Sequence, residues 1–266
     1  MKIKEIIAAL ERFAPLPLQE DYDNAGLQVG LTEAEVSGAL LCLDVTESIV
    51  DEAVRRGCNL IVAHHPLIFR RLSCVSDRDY VQRTVFKAIR EGVCIAAMHT
   101  NLDNVRGGVN WKIAEKLGMR HLEVLGEQQS YRSSQGDYSY GSGVVGELPE
   151  AMPAVNFIQL LKDTFEVKCL KTNQLLSRRI RRVALCGGAG SFLLRDAIAA
   201  GADAFVTGEM GYHEFFGHEQ QIQVCVIGHY QSEQYTPELL AELLAKSCPE
   251  VKTMIAETCT NPIIYV

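Results

Sequence analysis

The chain has 266 residues, 47% of them hydrophobic and 22% charged, and a formal net charge of −7. That length holds one large domain or two small ones around a sizeable core, and the composition excludes a disordered chain. The acidic balance disfavours general nucleic-acid binding, and no apolar run reaches the roughly 18 residues of a membrane helix.

Residues 2–13 place Ile3, Ile6, Ile7, Leu10 and Phe13 at helical spacing. Nothing there has the core of a signal peptide, so a cytoplasmic protein is expected. Pro15 and Pro17 stop the helix. Residues 21–30 read as a turn-rich loop leading into a short strand. An α/β rhythm follows. Strands are expected at 39–43, 59–63 and 93–98, and helices at 47–56, 80–91 and 107–117. Strands alternating with helices imply a mainly parallel or mixed sheet covered by helices. Residues 126–143 are polar and read as a linker or hairpin. A strand at 144–148, a helix at 153–163 and a strand at 167–170 come next, and the first rhythm returns from residue 180.

The two halves match each other. Cys42 falls on Cys186, Ala53 on Ala197 and Gly57 on Gly201 at one constant spacing, and residues 59–62 fall on 203–206. After a small shift, Val93-Cys94-Ile95 falls on Val224-Cys225-Val226. Each third strand is expected to end in a histidine, His99 or His229, followed four residues later by a carboxylate, Asp103 or Glu233. This reads as an internal duplication giving two related α/β domains, 1–125 and 126–266, whose halves can intertwine.

Nine cysteines without a close C-x-x-C pair read as small buried hydrophobes in a reducing compartment. The seven histidines carry more information. His64-His65 follows an apolar strand, where open sheets bind ligands. Adjacent residues on a strand point apart, but a bend at Pro66 lets both rings face one cavity. His64, His65, Asp103, His229 and Glu233 then make a mixed nitrogen and oxygen ligand set, suited to zinc, iron or manganese. A surface pair or a core histidine is the plainer alternative. His99 reads as a metal contact or a ligand-orienting residue, and with Glu209 and His213 it is a candidate catalytic residue. Glu209 stands where the first half has His65, and Glu209 and His213 have the spacing to share a helical face. His121 and His218 read as surface residues. Gly187-Gly188-Ala189-Gly190 lacks the G-K-[ST] ending of a P-loop. It is open to two readings, a tight turn or a phosphate cradle. The basic run 178–182 reads as a solvated edge.

Taken in order, several segments resemble one known family. They are Asp21-Tyr22-Asp23-Asn24-Ala25-Gly26-Leu27-Gln28-Val29-Gly30, Asn59-Leu60-Ile61-Val62-Ala63-His64-His65-Pro66-Leu67 and His99-Thr100-Asn101-Leu102-Asp103. Thr207-Gly208-Glu209-Met210-Gly211-Tyr212-His213 and Gly228-His229-Tyr230-Gln231-Ser232-Glu233 complete them. The family is that of the GTP cyclohydrolase 1 type 2 homologs, the NIF-three-like dinuclear metal centre proteins. Tyr22 departs from it, since the family often has Trp there. The resemblance implies two divalent metal ions held by His64, His65, Asp103, His229 and Glu233, and a ring-like homohexamer. It also implies a metal-dependent hydrolase acting on a nucleotide or related small molecule through a metal-bridging water. The alternative is a non-enzymatic metal-binding regulatory or interaction protein.

Overall fold

The computed structural model describes residues 1–133, 136–264 and 266. Ser134 and Gln135, within the polar stretch expected to form a linker or hairpin, lie outside the described residues. The chain runs α1 (Ile3–Phe13), β1 (Gly26–Val29), β2 (Ala39–Cys42), α2 (Glu47–Arg55), β3 (Leu60–Ala63), α3 (Tyr80–Glu91), β4 (Cys94–Ala97) and α4 (Thr100–Asn104). It continues through α5 (Val109–Lys116), β5 (Arg120–Val124), β6 (Gln129–Ser133), β7 (Gly136–Tyr140), β8 (Val144–Met152), α6 (Ala154–Phe165) and β9 (Lys171–Thr172). The remaining elements are β10 (Ile180–Cys186), α7 (Leu194–Ala199), β11 (Ala204–Thr207), β12 (Gln223–Val226), α8 (His229–Glu233), α9 (Thr236–Ser247) and β13 (Thr253–Ile255).

Two compact units result: Met1–Leu102 with Thr236–Val266, and Asp103–Tyr235. This differs from a contiguous division after residue 125. The cause is the return of the chain: α9 packs on α1 and β2, and β13 pairs in parallel with β2.

The first unit holds a sheet in the order β1-β4-β3-β2-β13, parallel except for β1, which pairs antiparallel with β4. All four residues of β2, β3 and β4 are buried. Strands buried on both faces read as unbroken apolar runs, which is why the sequence revealed them. Ile49, Val50 and Ala53 of α2 and Val85 and Ala88 of α3 pack on one side of this sheet with Leu40, Ile61 and Ile95. Both helices are capped: Thr46 Oγ1 accepts from the Ile49 amide, and Asp79 Oδ1 accepts from the Gln82 amide at 2.9 Å.

The second unit holds a six-stranded sheet, β5-β8-β10-β11-β12-β9, and a separate two-stranded antiparallel sheet, β6-β7. Strands β10, β11 and β12 are parallel; β8 and β9 flank them antiparallel. Its core gathers Val145, Ala184, Leu194, Ala197, Phe205, Ile222 and Val224.

The duplication is visible in the strand orders. The run β1-β4-β3-β2 in one sheet has its counterpart β9-β12-β11-β10 in the other, including the antiparallel edge. Gly57 and Gly201, matched in sequence, both follow a helix with positive φ, 73° and 69°. The third strands need a correction. Pairing sets Cys94 level with Leu60 and Gln223 level with Ala204, so Cys94 corresponds to Gln223, not Cys225. On that register His229 opens α8, whereas His99 precedes α4. Residues 167–170 form no strand; the edge strand is the two-residue β9 just beyond them.

Six cysteines, Cys42, Cys58, Cys94, Cys186, Cys225 and Cys248, are buried, and all nine are free thiols. Among the described residues no helix is long and apolar enough to cross a membrane.

Candidate metal centre

In the first unit the chain bends after β3, and His64 and His65 turn towards one another. Their ring centroids lie 4.8 Å apart, and the His99 ring stands 5.3 Å from His64 and 5.4 Å from His65. The three imidazoles each present a ring nitrogen within 4.8 Å of the others. The bend thus overcomes the alternation of a strand. It brings together the expected ligands His64 and His65 with His99, which the sequence offered as a metal contact or an orienting residue.

Each ring is anchored through Nδ1. His64, fully buried, donates to the Met98 carbonyl at 2.8 Å. His65 Nδ1 is 2.7 Å from Asp44 Oδ1, and Asp44 Oδ2 accepts from the Thr260 hydroxyl at 2.8 Å. His99 Nδ1 is 2.7 Å from Asp23 Oδ1. Asp23 Oδ2 accepts from the Thr100 amide at 3.0 Å and from the Thr100 hydroxyl. Burial acts to raise both carboxyl pKa values and is outweighed. Hydrogen bonds and charge from His99, with Thr100, hold Asp23 at about 2. His65 chiefly, then Thr260 and His64, hold Asp44 below the ordinary range. Both are therefore acceptors at neutral pH. That puts the proton on each Nδ1 and the ring's lone pair on Nε2. A carboxylate or carbonyl behind each imidazole is the arrangement that orients histidine ligands of metals. The donor chemistry fits a divalent transition ion.

Sequence reasoning did not single out Asp23 and Asp44. Asp23 lies in the turn-rich segment 21–30, where an aspartate is ordinary. Asp44 follows β2 by two residues, as His65 follows β3, so the strand-end rule that selected the histidines also pointed to it. A cavity of about 520 Å³ adjoins His65 and Asp44, lined also by Thr46, Glu47, Tyr80 and Thr260.

In the second unit His229 and Glu233 are four apart on α8, with His229 Nε2 3.2 Å from Glu233 Oε2. His229 Nδ1 is 3.0 Å from Glu209 Oε1. The pairings place Glu209 two residues beyond β11, as His65 lies beyond β3. Glu209 does not share a helix with His213. The chain is irregular at 208–211, and His213 sits in a separate 3₁₀ turn, exposed between Tyr212 and Phe216. Asp103 is half-buried on α4, and its carbonyl accepts from Asn110 Nδ2 at 3.3 Å.

The glycine-rich turn is a packing device rather than a phosphate cradle. Its amides at Gly187, Gly188 and Gly190 donate to Asn110 Oδ1, Ser232 Oγ and Thr207 Oγ1. Gly188 has φ +57°, and a Cβ there would strike Glu233 Oε1. Arg178, Arg179 and Arg181 of the basic run are exposed, as a solvated edge should be, and their side chains bind the chain's own acceptors: Arg178 Asp203, Arg179 the Ala151 carbonyl, and Arg181 Glu147.

A partly buried imidazole cluster thus stands at the strand ends of an α/β fold, and comparison places the chain in a family. The profile of Duf34/NIF3 (NGG1p interacting factor 3) matches residues 1–262, and the chain belongs to that family. A Clostridium perfringens protein named GTP cyclohydrolase 1 type 2 homolog is 34% identical over 234 residues, 88% of this chain and 87% of its own. A Lactococcus lactis protein of the same name is 32% identical, covering 98% of each chain. Among solved structures, a Staphylococcus aureus hypothetical protein superposes with a TM-score of 0.90 at 26% identity, over 100% of this chain and 99% of that one. A Bacillus cereus protein related to NIF3 gives 0.87 at 25%, with the same coverage.

Proposed function

We propose that this protein is a dinuclear metal-dependent hydrolase acting on a nucleotide or related small molecule, as the name shared by its relatives suggests. His64, His65, Asp103, His229 and Glu233 are the proposed ligands of two divalent ions, drawn from zinc, iron or manganese. The observation that carries the reading is the anchoring of each imidazole through Nδ1 by Met98, Asp44, Asp23 or Glu209. A carboxylate or carbonyl behind each ring fixes its tautomer and its direction, as it does for histidines that hold metals, and three rings so fixed converge here. Bound ions would supply Lewis acidity and lower the pKa of water. Glu209, exposed beside His229, would hold that ring and exchange a proton with solvent. His99 is positioned by Asp23 beside the two adjoining ligands. The cavity next to His65 is of small-molecule size. A cytoplasmic homohexamer completes the proposal.

Elemental analysis of the purified chain tests the ligand set. Asp103→Ala and His64→Ala are expected to lose most bound metal, and unchanged content in both would overturn the assignment. Turnover of a panel of nucleotides and phosphoesters by metal-loaded protein tests the activity, with Glu233→Ala as the inactive control. Metal binding with no turnover across the panel would favour a regulatory or interaction protein instead.

A further inference from the structure

An aromatic pair stands at one flank of the histidine cluster. The Phe69 ring lies edge-on to His99, with centroids 6.1 Å apart at 83°. Tyr22 in turn meets Phe69 edge-on, at 6.4 Å and 62°. Both rings are open to solvent, Tyr22 to 66% and Phe69 to 46%. Large rings normally bring their apolar area into a core, so two held together in the open beside a candidate metal site call for a purpose.

They are also held in place. Asn24 Nδ2 donates to the Ile68 carbonyl at 2.6 Å, and the Ile68 amide donates to Gln28 Oε1 at 3.1 Å. The loop bearing Phe69 is thereby tied to the loop bearing Tyr22. Between them, Asp23 is fixed by His99 and Thr100. One short segment thus orients a metal-site imidazole with Asp23, sets out a ring with Tyr22 and clamps a second ring with Asn24. Among the described residues, the cavity beside His65 has hydroxyls and carboxylates but, apart from that imidazole, one aromatic ring, Tyr80. The His99 flank is the one built of rings.

We propose that Phe69 and Tyr22 form a stacking platform for the planar heterocycle of the substrate and so set specificity for a nucleobase over a bare sugar phosphate. The inference rests on the reading of the histidine cluster as the metal site of a small-molecule hydrolase, and it names the substrate group that this flank selects. Stacking on a protein ring is tolerant of which base is present but requires a π face.

Calorimetric titration of the metal-loaded chain with guanosine 5′-monophosphate and with ribose 5-phosphate tests it. The native protein is expected to bind the nucleotide on the order of tenfold more tightly. Phe69→Leu, which keeps apolar bulk without a ring, is expected to abolish that preference. Affinity for ribose 5-phosphate and metal content should stay as in the native chain. Tyr22→Trp should retain the preference and Tyr22→Ala should reduce it. Equal affinity of the native chain for both compounds would overturn the platform, as would Phe69→Leu and Tyr22→Ala variants that discriminate like the native protein. A change in assembly state in place of discrimination would also overturn it. Loss of the hydrolase reading shows separately, as absent turnover with the base preference intact.

Discussion

His65 owes its orientation to Asp44, whose two oxygens serve the imidazole and the Thr260 hydroxyl. An amide in its place offers one acceptor oxygen and no charge, so it cannot accept from both the imidazole and the Thr260 hydroxyl. Asp44→Asn is therefore expected to weaken metal binding about 10- to 100-fold, read by titration against a competing chelator. An unchanged affinity would remove Asp44 from the site. At this scale the sequence was a partial guide. His64 and His65 were legible because a strand end followed by Pro66 is a recognisable place for ligands. The pairing of Asp23 with His99 and of Asp44 with His65 was not, because each aspartate acts on a histidine distant in the chain, and spacing carries no trace of such a pair. The closing of Gly187, Gly188 and Gly190 on internal acceptors was hidden for the same reason.

Helix α2 shows how one buried charge fastens an element. Glu52 is fully buried, yet it accepts from the amides of Glu257 and Thr258 at 2.8 and 3.0 Å and from Arg56 at 2.6 Å. Burial acts to raise its pKa, but these donors prevail and hold it at about 2. A depressed carboxyl stabilises the fold fully above its unfolded value, near 4.3. That contribution is lost as pH falls from there towards about 2. Glu52→Gln should cost about 2 kcal/mol at neutral pH. It should also flatten the acid side of a plot of urea midpoint against pH; an unaltered slope between pH 4 and 2 would refute the role. The neighbouring elements divide sharply by legibility. Strands β2, β3 and β4 stood out as unbroken apolar runs. Strand β5, exposed or half-exposed throughout, had no such signal, and neither did the five residues of α4. The register of β12 against β4 was misjudged because two similar Val-Cys runs drew the match, whereas hydrogen bonding sets the true level.

Across the whole molecule the cysteines sort by burial. Desolvation pushes the thiol of Cys94 up to about 11 and that of Cys225 up to about 12, and it raises that of Cys42 further. Such thiols are inert as nucleophiles. A colorimetric disulfide reagent should titrate Cys74, Cys169 and Cys259 promptly in the native chain. The six buried cysteines should follow only on unfolding. Prompt reaction of all nine would contradict the fold. The duplication was legible from the matched cysteines and glycines, but the place where the second unit begins was not. That boundary depends on α9 and β13, whose partners α1 and β2 lie at the other end of the chain.

That return has a consequence for synthesis on the ribosome. The second unit is one continuous stretch and can close on itself as soon as it emerges. The first unit is translated earlier, but the edge of β2 that receives β13 stays open until the whole of the second has been made. An exposed, apolar strand edge is a template for unwanted pairing. The nascent chain thus carries its greatest hazard of aggregation through most of its own translation, in the part that was made first.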